Sequence, residues 1–391
     1  MKTILHIDMN AFFISCETAE NPALKDVPAA VAGNETSRTG IILSPNYKAR
    51  SYGVKTTMLN SEARRLCPDI ILVPPRHELY EEYSRNVMDI LGTYSDLLEP
   101  YSIDEAWMDV THVQHLFGSP TVIARKIKSQ LYSELGLTCS IGISSNKILS
   151  KMASDFQKPD GLTVLAPADI PIKMWPLPVG KLLYIGKKTE KKLLKIGITT
   201  IGELAQADPN VLIKLFGKYG ETIHQYANGE GDDVVCPERK QDKSINHTVT
   251  LPSDALSLND IAPILLNCCE VIGTRLRQDG MQARGFGITL RYRDFTTHNR
   301  QITLEHETDI TEEIYQQALG LVHKHWNGQP VRLVGVYAMK LCRKAHEVQL
   351  TFFDHKRDKL EKLNQVVDRI RSKYGEHAVQ RSSLIKSKWS E

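Results

Sequence analysis

The sequence lacks an apolar run long enough to cross a membrane as a helix. Such a helix takes about 20 consecutive, mostly apolar residues, and charged residues recur too often in this chain to leave a run of that length. The start of the chain carries Asp8 where a signal peptide has an uninterrupted apolar segment. We therefore predict a cytoplasmic protein.

The sequence also lacks the cysteine spacing of a zinc or disulfide framework. Its seven cysteines are an odd number without a C-x-x-C pair, and two of them, Cys268 and Cys269, are adjacent. Paired thiols in secreted domains and zinc ligands follow more regular spacings. We expect reduced thiols that pack as small apolar side chains.

Internal repeats and low-complexity segments are absent as well. The 391 residues are 41% apolar and 24% charged, which is typical of a globular chain of two to four domains. The net charge of +3 does not indicate whether the chain binds nucleic acid, because such binding depends on where the charge lies.

Three carboxylates stand out in the first 165 residues, where strands and helices alternate. Asp8 ends a predicted buried strand, and Asp104 and Glu105 interrupt an apolar segment much later. Adjacent side chains on a strand point to opposite faces, so a joint role for the pair requires a backbone turn or a metal that gathers them. Carboxylates without histidine or cysteine suit Mg²⁺ or Mn²⁺ better than zinc.

Each of these acids has a plainer interpretation. An Asp-Glu pair is most often a solvated turn, and Asp8 is equally well explained as a helix N-cap. Tyr47 and Arg50, three residues apart, share one face if helical and suit phosphate oxygens, but an ordinary surface helix has the same spacing. Lys158 in a turn is a candidate phosphate contact and, taken alone, an ordinary solvated lysine.

Residues 180–197 carry six lysines against one acid, Glu190. A glycine turn at Gly186 opens this lysine-rich helix and exposes backbone N–H groups, which favours binding of a nucleic-acid phosphate over a merely solvated face. Residues 244–347 predict an α+β domain of four strands and two helices, in which Arg291 and Arg293 share one strand face and are candidate phosphate contacts.

Five motifs in order resemble those of the Y-family translesion DNA polymerases, and most closely the branch of the bacterial DNA polymerase IV and UmuC-like proteins. The resemblance runs from residue 3 to beyond 340. The motifs are Ile7-Asp8-Met9-Asn10-Ala11-Phe12-Phe13, Asn46-Tyr47-Lys48-Ala49-Arg50, Ser102-Ile103-Asp104-Glu105-Ala106, Gly142-Ile143-Ser144-Ser145-Asn146-Lys147 and Lys158-Pro159-Asp160-Gly161.

The resemblance implies an α+β multidomain fold, a right-hand polymerase with a ferredoxin-like palm, small fingers, a helix-hairpin-helix thumb and an α/β little finger. The implied boundaries are the palm at 1–10 and 76–165, the fingers at 11–75, the thumb at 166–233, a linker at 234–243, the little finger at 244–347 and a C-terminal tail with a clamp-binding peptide at 348–391.

The resemblance also implies site residues, position by position. Asp8, Asp104 and Glu105 match the catalytic metal-binding acids, with Met9 offering its backbone carbonyl. Phe13 matches the steric gate that excludes a ribose 2′-hydroxyl. The positions that match triphosphate contacts are Ser44, Tyr47, Arg50 and Lys158; those expected to contact DNA are Gly186, Lys187, Lys188, Arg291 and Arg293; those of the clamp-binding peptide are Gln349, Leu350, Phe352 and Phe353.

Two positions depart from the family pattern. Asn10 stands where many relatives have a second Asp, which puts a role for that acid in doubt. Phe352 replaces a more usual Leu in the clamp-binding peptide, although two terminal hydrophobic residues still suit a partner groove. Composition alone favours an interpretation in which these aromatics cover the chain's own core. The resemblance to the family instead favours binding to the sliding clamp.

The resemblance implies template-directed DNA synthesis without proofreading, in which a primer 3′-hydroxyl attacks the α-phosphorus of a deoxynucleotide. Its implied cofactors are two Mg²⁺ ions, with Mn²⁺ possible. Its implied partners are primer-template DNA, deoxynucleoside triphosphates and the replicative sliding clamp. The polymerase itself is expected to be a monomer associated with the nucleoid. The alternatives are a nucleotidyl cyclase or synthetase, and a catalytically silent scaffold bound to DNA or to the clamp.

Overall fold

The structure is a computed structural model that describes residues 2–34, 40–238, 242–344, 355–375 and 377–382. The chain divides into two compact units, Met1–Arg239 and Lys240–Glu391, and each is described by itself. Within the described ranges no helix is long and apolar enough to span a bilayer.

The first unit holds two sheets and two groups of helices. Its strands are β1 (Ile4–Met9), β2 (Ala29–Ala32), β3 (Ile42–Pro45), β4 (Ile71–Val73), β5 (Leu98–Pro100), β6 (Glu105–Asp109), β7 (Cys139–Ser144) and β8 (Leu162–Val164). Its α-helices are α1 (Phe12–Glu20), α2 (Tyr47–Ser51), α3 (Asn60–Leu66), α4 (His77–Gly92), α5 (Gln114–Phe117), α6 (Pro120–Leu135), α7 (Lys147–Phe156), α8 (Lys187–Lys195), α9 (Ile201–Gln206), α10 (Pro209–Phe216) and α11 (Lys218–Ala227).

The five-stranded sheet has the order β5-β6-β1-β7-β8, with β1 antiparallel to both neighbours. Strand β1 is buried on both faces, and its side chains alternate between two environments. Leu5 and Ile7 join the core formed with α1, α4 and α6. His6 and Asp8 point to the opposite face, where Ser154 of α7 contacts His6. Helix α7 therefore covers the face that carries the acid.

Gly142 on β7 allows α7 to lie unusually close to the sheet. A Cβ at this position would lie 2.0 Å from the carbonyl oxygen of Ser150 and 2.4 Å from the nitrogen of Ser154. Gly142 is the Cα partner of His6 in the ladder between β1 and β7. The absence of a side chain at Gly142 thus brings the backbone of α7 against the part of β1 that leads to Asp8.

The smaller sheet, of order β3-β2-β4, has its own small core with α2 and α3. Asn46 caps α2, because its side-chain oxygen accepts from the nitrogen of Ala49 at 2.8 Å. The helices α8 to α11 form a third cluster, in which Leu193, Leu204 and Ile223 are fully buried. These two parts correspond to the predicted fingers and thumb; the domain boundaries themselves remain a prediction.

The second unit is a four-stranded antiparallel sheet of order β11-β10-β12-β9 packed on two helices. The sequence predicts these four strands and two helices, with ends that differ by a few residues. The strands are β9 (Ser244–Ala255), β10 (Met281–Tyr292), β11 (Thr297–Thr308) and β12 (Val331–Arg343), and the helices are α12 (Leu258–Gln278), α13 (Thr311–His325) and the C-terminal α14 (His355–Tyr374).

Helix α14 lies in the predicted tail and is fixed to α12 by ion pairs. Arg277 contacts Asp368 at 2.5 Å, and Arg371 contacts Glu270 at 3.0 Å with both side chains about nine-tenths buried. Leu363 of this helix is 49% exposed. Charge pairing therefore contributes to the docking of α14. The predicted clamp-binding peptide, Gln349 to Phe353, lies outside the described residues.

Candidate active site

Asp8 and Glu105 face each other across the ladder between β1 and β6. They are Cα partners in that antiparallel pairing, two residues along from the pair His6 and Trp107. Because side chains alternate, all four point to the face covered by α7. Asp8 is 7% exposed, and the Glu105 side chain is 19% exposed.

Asp104 lies on the turn that leads into β6. The chain bends at residues 102–104, and the nitrogens of Tyr101 and Ser102 both donate to the carbonyl oxygen of Glu105. Ser102 donates its hydroxyl to the Asp104 carboxylate at 2.5 Å, and Met9 donates its nitrogen to the Asp104 carbonyl at 2.9 Å. The structure thus shows the backbone turn that adjacent acids require in order to act together.

Two side chains, those of Lys151 and His6, contact the carboxylate of Glu105. Lys151 of α7 donates to its carboxylate, and Nε2 of His6 lies 3.4 Å from the same oxygen. Burial alone would raise the pKa of Glu105, but these two contacts outweigh it and lower the pKa to about 2. Burial lowers the pKa of His6 to about 4, so its ring is neutral at physiological pH. Nδ1 of His6 contacts the Ser154 hydroxyl at 2.9 Å.

Asp8 is paired with Lys158, which lies on the loop after α7. Lys158 Nζ is 2.8 Å from Asp8 and 2.8 Å from Asp155. Burial raises the pKa of Asp8 to about 7, and the Lys158 ammonium opposes that rise. Asp104 has no lysine of this kind in the described part of the chain; burial raises its pKa, against the hydrogen bond from Ser102.

The three acids fit a hard divalent ion by the chemistry of their oxygens. As they stand, however, the described residues include no group of three His, Cys, Asp or Glu side chains gathered closely enough to hold an ion. Asp8 contacts Lys158, and Glu105 contacts Lys151. An ion that binds these carboxylates would therefore meet two ammonium groups already paired with them.

The predicted triphosphate contacts come from β3, from α2 and from the loop after α7. Ser44 is buried on β3, and Tyr47 and Arg50 share α2, with the guanidinium 4.8 Å from the centre of the tyrosine ring. Burial raises the pKa of Tyr47, although the Arg50 charge acts against it; Lys158 and Asp8 also influence this phenol. Tyr47 therefore lies within electrostatic range of the acid site, while Lys158 is already engaged with Asp8.

Phe13 lies on α1 against a rigid support. Its ring stacks on that of Tyr80 at 4.3 Å between centroids, with planes 12° apart. Tyr80 is fully buried and donates its hydroxyl to Glu17 at 2.7 Å, while Arg76 forms an ion pair with the same carboxylate. The Phe13 ring is therefore backed by an aromatic side chain that a buried charge holds in place.

Asn10 uses both ends of its amide. Its nitrogen donates to the Ser140 hydroxyl at 2.9 Å, and its oxygen accepts from the nitrogen of Asp160 at 2.8 Å. An ionised Asp has no donor for the first of these bonds. Asn10 therefore fastens the loop that carries Lys158 to strand β7.

Gly186 is the N-cap of α8, followed by the exposed Lys187 and Lys188. A Cβ at Gly186 would meet no atom within 4 Å, and its backbone is not left-handed. The left-handed residue of this turn is Tyr184, at φ 70°. Gly186 therefore leaves open space at the start of the lysine-rich helix, whereas the bend itself is made by Tyr184.

Arg291 and Arg293 belong to the second unit, and that they share a strand face stays a prediction, because β10 ends at Tyr292 and Arg293 follows directly after it. The register shift between β10 and β12 beside Arg291 places its extra residue on β12, whose pairing moves from Leu333 to Val331. Arg291 bonds the Thr297 hydroxyl at 3.0 Å, and the Arg293 side chain is 78% exposed.

Sequence reasoning missed His6, Lys151 and Tyr80. His6 had a signal, because strand alternation places it on the same face as Asp8. Lys151 and Tyr80 had none, because their contacts depend on how α7 and α4 dock, and neither docking can be read from spacing within one element.

A ferredoxin-like sheet with three carboxylates at one end, beside a helical domain that exposes lysines, defines a nucleotidyl-transferring polymerase of the right-hand type. Comparison with known proteins agrees. The profile of the impB/mucB/samB family matches residues 7–155, its C-terminal domain matches residues 242–352, and its helix-hairpin-helix motif matches residues 167–198.

The chain is also similar over its whole length to bacterial DNA polymerases. The chain is 42% identical to DNA polymerase IV of Clostridium kluyveri, with 98% of each chain covered, and 40% identical to DNA polymerase IV 1 of Bacillus subtilis, covering 100% of this chain and 94% of that one. Among solved structures, the Y-family DNA polymerase chimera Dbh-Dpo4(243-245)-Dbh has a TM-score of 0.78 at 26% identity, over 88% of this chain and all of that one.

The chain therefore belongs to the Y family of DNA polymerases, in the branch of bacterial DNA polymerase IV. It is a DNA-directed DNA polymerase of the translesion type, with the right-hand fold that the sequence predicts. The cyclase and scaffold alternatives are set aside. Enzymes of this family depend on divalent metal ions.

The raised pKa of Asp8 predicts how pH affects the metal-free protein. Between the unfolded value of 3.8 and about 7, the folded state keeps a proton on Asp8 that the unfolded state has lost. The stability of the wild type relative to Asp8→Asn should therefore be highest at low pH, fall by roughly 2 to 4 kcal/mol through that window, and stay level above pH 7. Urea unfolding in chelator at pH 4.5 to 8 measures the difference, and parallel curves for the two proteins would contradict it.

Proposed function

We propose that Asp8, Asp104 and Glu105, with the backbone carbonyl of Met9, hold two Mg²⁺ ions, for which Mn²⁺ can substitute. The placement of Asp8 opposite Glu105 at the end of two paired strands, with Asp104 on the adjoining turn, carries this proposal. When bound, the two ions would supply Lewis-acid activation of a primer hydroxyl and charge stabilisation of the leaving pyrophosphate.

The protein itself positions these carboxylates and restricts their movement. Glu105 would hold an ion on the side of the primer 3′-hydroxyl, and Asp104 on the turn and Asp8 on the central strand would supply further ligands to the two ions. The hydrogen bonds to Asp104 and Glu105 described above support a preorganised site, in which little rearrangement of the backbone is needed during reaction.

Four side chains hold the incoming triphosphate. Arg50 and Tyr47 present a guanidinium and a hydroxyl from one short helix, and Ser44 lies on the strand before it. Lys158 exchanges its contact with Asp8 for a phosphate oxygen when a nucleotide binds. A guanidinium and an ammonium together match the charge of a triphosphate, which supports this assignment.

Phe13 excludes ribonucleotides by occupying the space that a 2′-hydroxyl needs. Its stacking on the buried Tyr80 supports this role, since a gate that rejects a single oxygen must not move aside. The carboxylate of Glu17, at the other end of Tyr80, keeps that support in place.

The remaining assignments concern macromolecular partners. The open N-terminus of α8 at Gly186, with Lys187 and Lys188, grips the DNA backbone, and Arg291 and Arg293 contact it from the little finger. The domain boundaries follow the family arrangement stated above. The polymerase acts as a monomer in the cytoplasm, at the nucleoid.

The peptide Gln349, Leu350, Phe352 and Phe353 binds the sliding clamp. Two terminal aromatics in a short segment suit an apolar groove, as in other peptide-recognition modes. Replacing both Phe352 and Phe353 with Ala should weaken binding of the full chain to the clamp by at least about tenfold in surface plasmon resonance, since two large apolar anchors are lost. Unchanged affinity would contradict the assignment.

Glu105→Gln should impair chemistry far more than binding. The substitution keeps the size of the side chain and removes a metal ligand, so kcat for single-nucleotide primer extension should fall about a hundredfold or more. The Kd for the nucleotide should change only a few-fold, because Tyr47, Arg50 and Lys158 remain. Single-turnover kinetics over a range of nucleotide concentrations separates the two quantities.

Glu99→Gln is the matched control, because Glu99 also pairs with a buried lysine, Lys147, but belongs to no proposed ligand set. Its kcat should stay near that of the wild type. In the double variant Asp104→Ala and Glu105→Ala, synthesis should be lost while DNA binding stays measurable; retained synthesis would contradict the assignment of the acids. Equal losses in kcat and nucleotide affinity for Glu105→Gln would contradict its place beside the primer hydroxyl.

Phe13→Val should admit ribonucleotides. The ratio of kcat/KM for a ribonucleotide to that for its deoxynucleotide should rise at least about tenfold, since removal of the ring opens space for one oxygen. Phe12→Leu, a change in the neighbouring buried ring, is the control and should leave that ratio near its wild-type value. An equal rise of this ratio in both variants would contradict the assignment of Phe13 as the steric gate, because it would show that the packing around the nucleotide site had loosened in general.

A further inference from the structure

We propose that Lys151 is a built-in counter-cation of the metal site, which holds Glu105 while no divalent ion is bound and competes with the ion for that carboxylate. This inference rests on the proposed role of Glu105 as a metal ligand. It assigns Lys151 as a positioning residue, distinct from the groups that contact substrate.

The first support is the placement of Lys151. It lies in the second turn of α7, its side chain is 11% exposed, and its ammonium contacts the Glu105 carboxylate directly. The same ammonium lies 5.5 Å from the centre of the Tyr101 ring, beside the turn that carries Asp104. A lysine buried to this degree needs an anionic partner, and in the described part of the chain its ion-pair partner is Glu105.

The second support is the division of charge in the site. Among the described residues, the three acids face two ammonium groups, Lys158 on Asp8 and Lys151 on Glu105. Lys158 has an independent role as a triphosphate contact, so its departure from Asp8 accompanies nucleotide binding. Lys151 has no such second role in the proposed mechanism. Its charge therefore stays beside Glu105 throughout the reaction cycle.

The third support is the set of contacts to Glu105. Lys151 donates to one oxygen of its carboxylate, and Nε2 of His6 lies 3.4 Å from that same oxygen. A divalent ion that binds Glu105 approaches a fixed positive charge in a partly buried site. The repulsion between them weakens binding, and it does so most when no nucleotide or primer has yet added negative charge.

Helix α7 supplies a matched control. Lys147, one turn before Lys151, is buried to the same extent and also lies 5.5 Å from the centre of an aromatic ring, that of Trp107. Its partners, however, are Glu99 and Asp232, and neither belongs to the proposed ligand set. Lys151→Met and Lys147→Met thus remove the same charge from the same helix, but only the first removes it from Glu105.

The experiment measures Mn²⁺ binding to the nucleotide-free and DNA-free full chain by electron paramagnetic resonance of the free ion, at pH 8. Lys151→Met should bind Mn²⁺ at least about tenfold more tightly than the wild type, because one unit charge beside the ion is removed in a partly buried site. Lys147→Met should stay within about twofold of the wild type, and Lys151→Arg, which keeps the charge, should resemble it.

Circular dichroism and thermal unfolding establish that each variant is folded, and Lys151→Gln is the second neutral variant if Lys151→Met is not. Unchanged or weaker Mn²⁺ binding in the folded neutral variant would overturn the proposal. So would an equal gain in Lys147→Met, because that result would show a general effect of net charge.

A Glu105→Gln titration distinguishes this inference from the function on which it rests. If Glu105→Gln retains the wild-type Mn²⁺ affinity, the metal-site assignment itself fails, and the Lys151 proposal fails with it. If Glu105→Gln abolishes binding but the neutral Lys151 variant gains nothing, the acids keep their proposed role and only the counter-cation is wrong.

Discussion

The burial of carboxylates at the paired ends of β1 and β6 is the constraint on which the catalytic unit depends. The strand ladder fixes Asp8 and Glu105 opposite each other, and desolvation is the largest single influence on the pKa of each. Removing such charges from water costs several kcal/mol each unless partners compensate. Helix α7 and the loop after it provide the compensation as Lys151 and Lys158, which is why the docking of α7 through Gly142 matters to the chemistry.

The strands and helices of this chain were largely predictable, because their signals are local. The buried strand ending in Asp8 and the four strands and two helices of the second unit follow from apolar patterning and turn residues, with ends differing by a few residues. The acids were visible as residues, but only the family motifs led us to propose a joint role for them. The sequence pattern around Asp8 does not distinguish a metal ligand from a helix cap, and the pattern around Asp104 does not distinguish a metal ligand from a turn residue.

The partners of those acids were not predictable, and the reason is physical. Lys151 reaches Glu105 across 46 residues of sequence, and Tyr80 reaches Glu17 across 63. Such contacts depend on the rotation of one element against another, which periodicity within an element leaves undetermined. Arg293 shows the same limit in a sheet, because the sequence pattern did not reveal that β10 ends one residue before it. Asn10 shows it in a loop, since its two amide bonds connect segments about 130 and 150 residues away.

Glu17 and Glu105 show how one physical device serves two purposes. Each is a largely buried carboxylate whose desolvation is offset by a cationic side chain and a second contact, Arg76 and Tyr80 for Glu17, Lys151 and His6 for Glu105. Glu17 lies behind the aromatic support of Phe13, where its charge fixes a shape. Glu105 lies at the end of a strand beside the proposed ligands Asp8 and Asp104, where a divalent ion would compete with Lys151 for it. Burial with a partner therefore rigidifies the support of the proposed gate and, in our proposal, would also set how tightly Glu105 holds an ion.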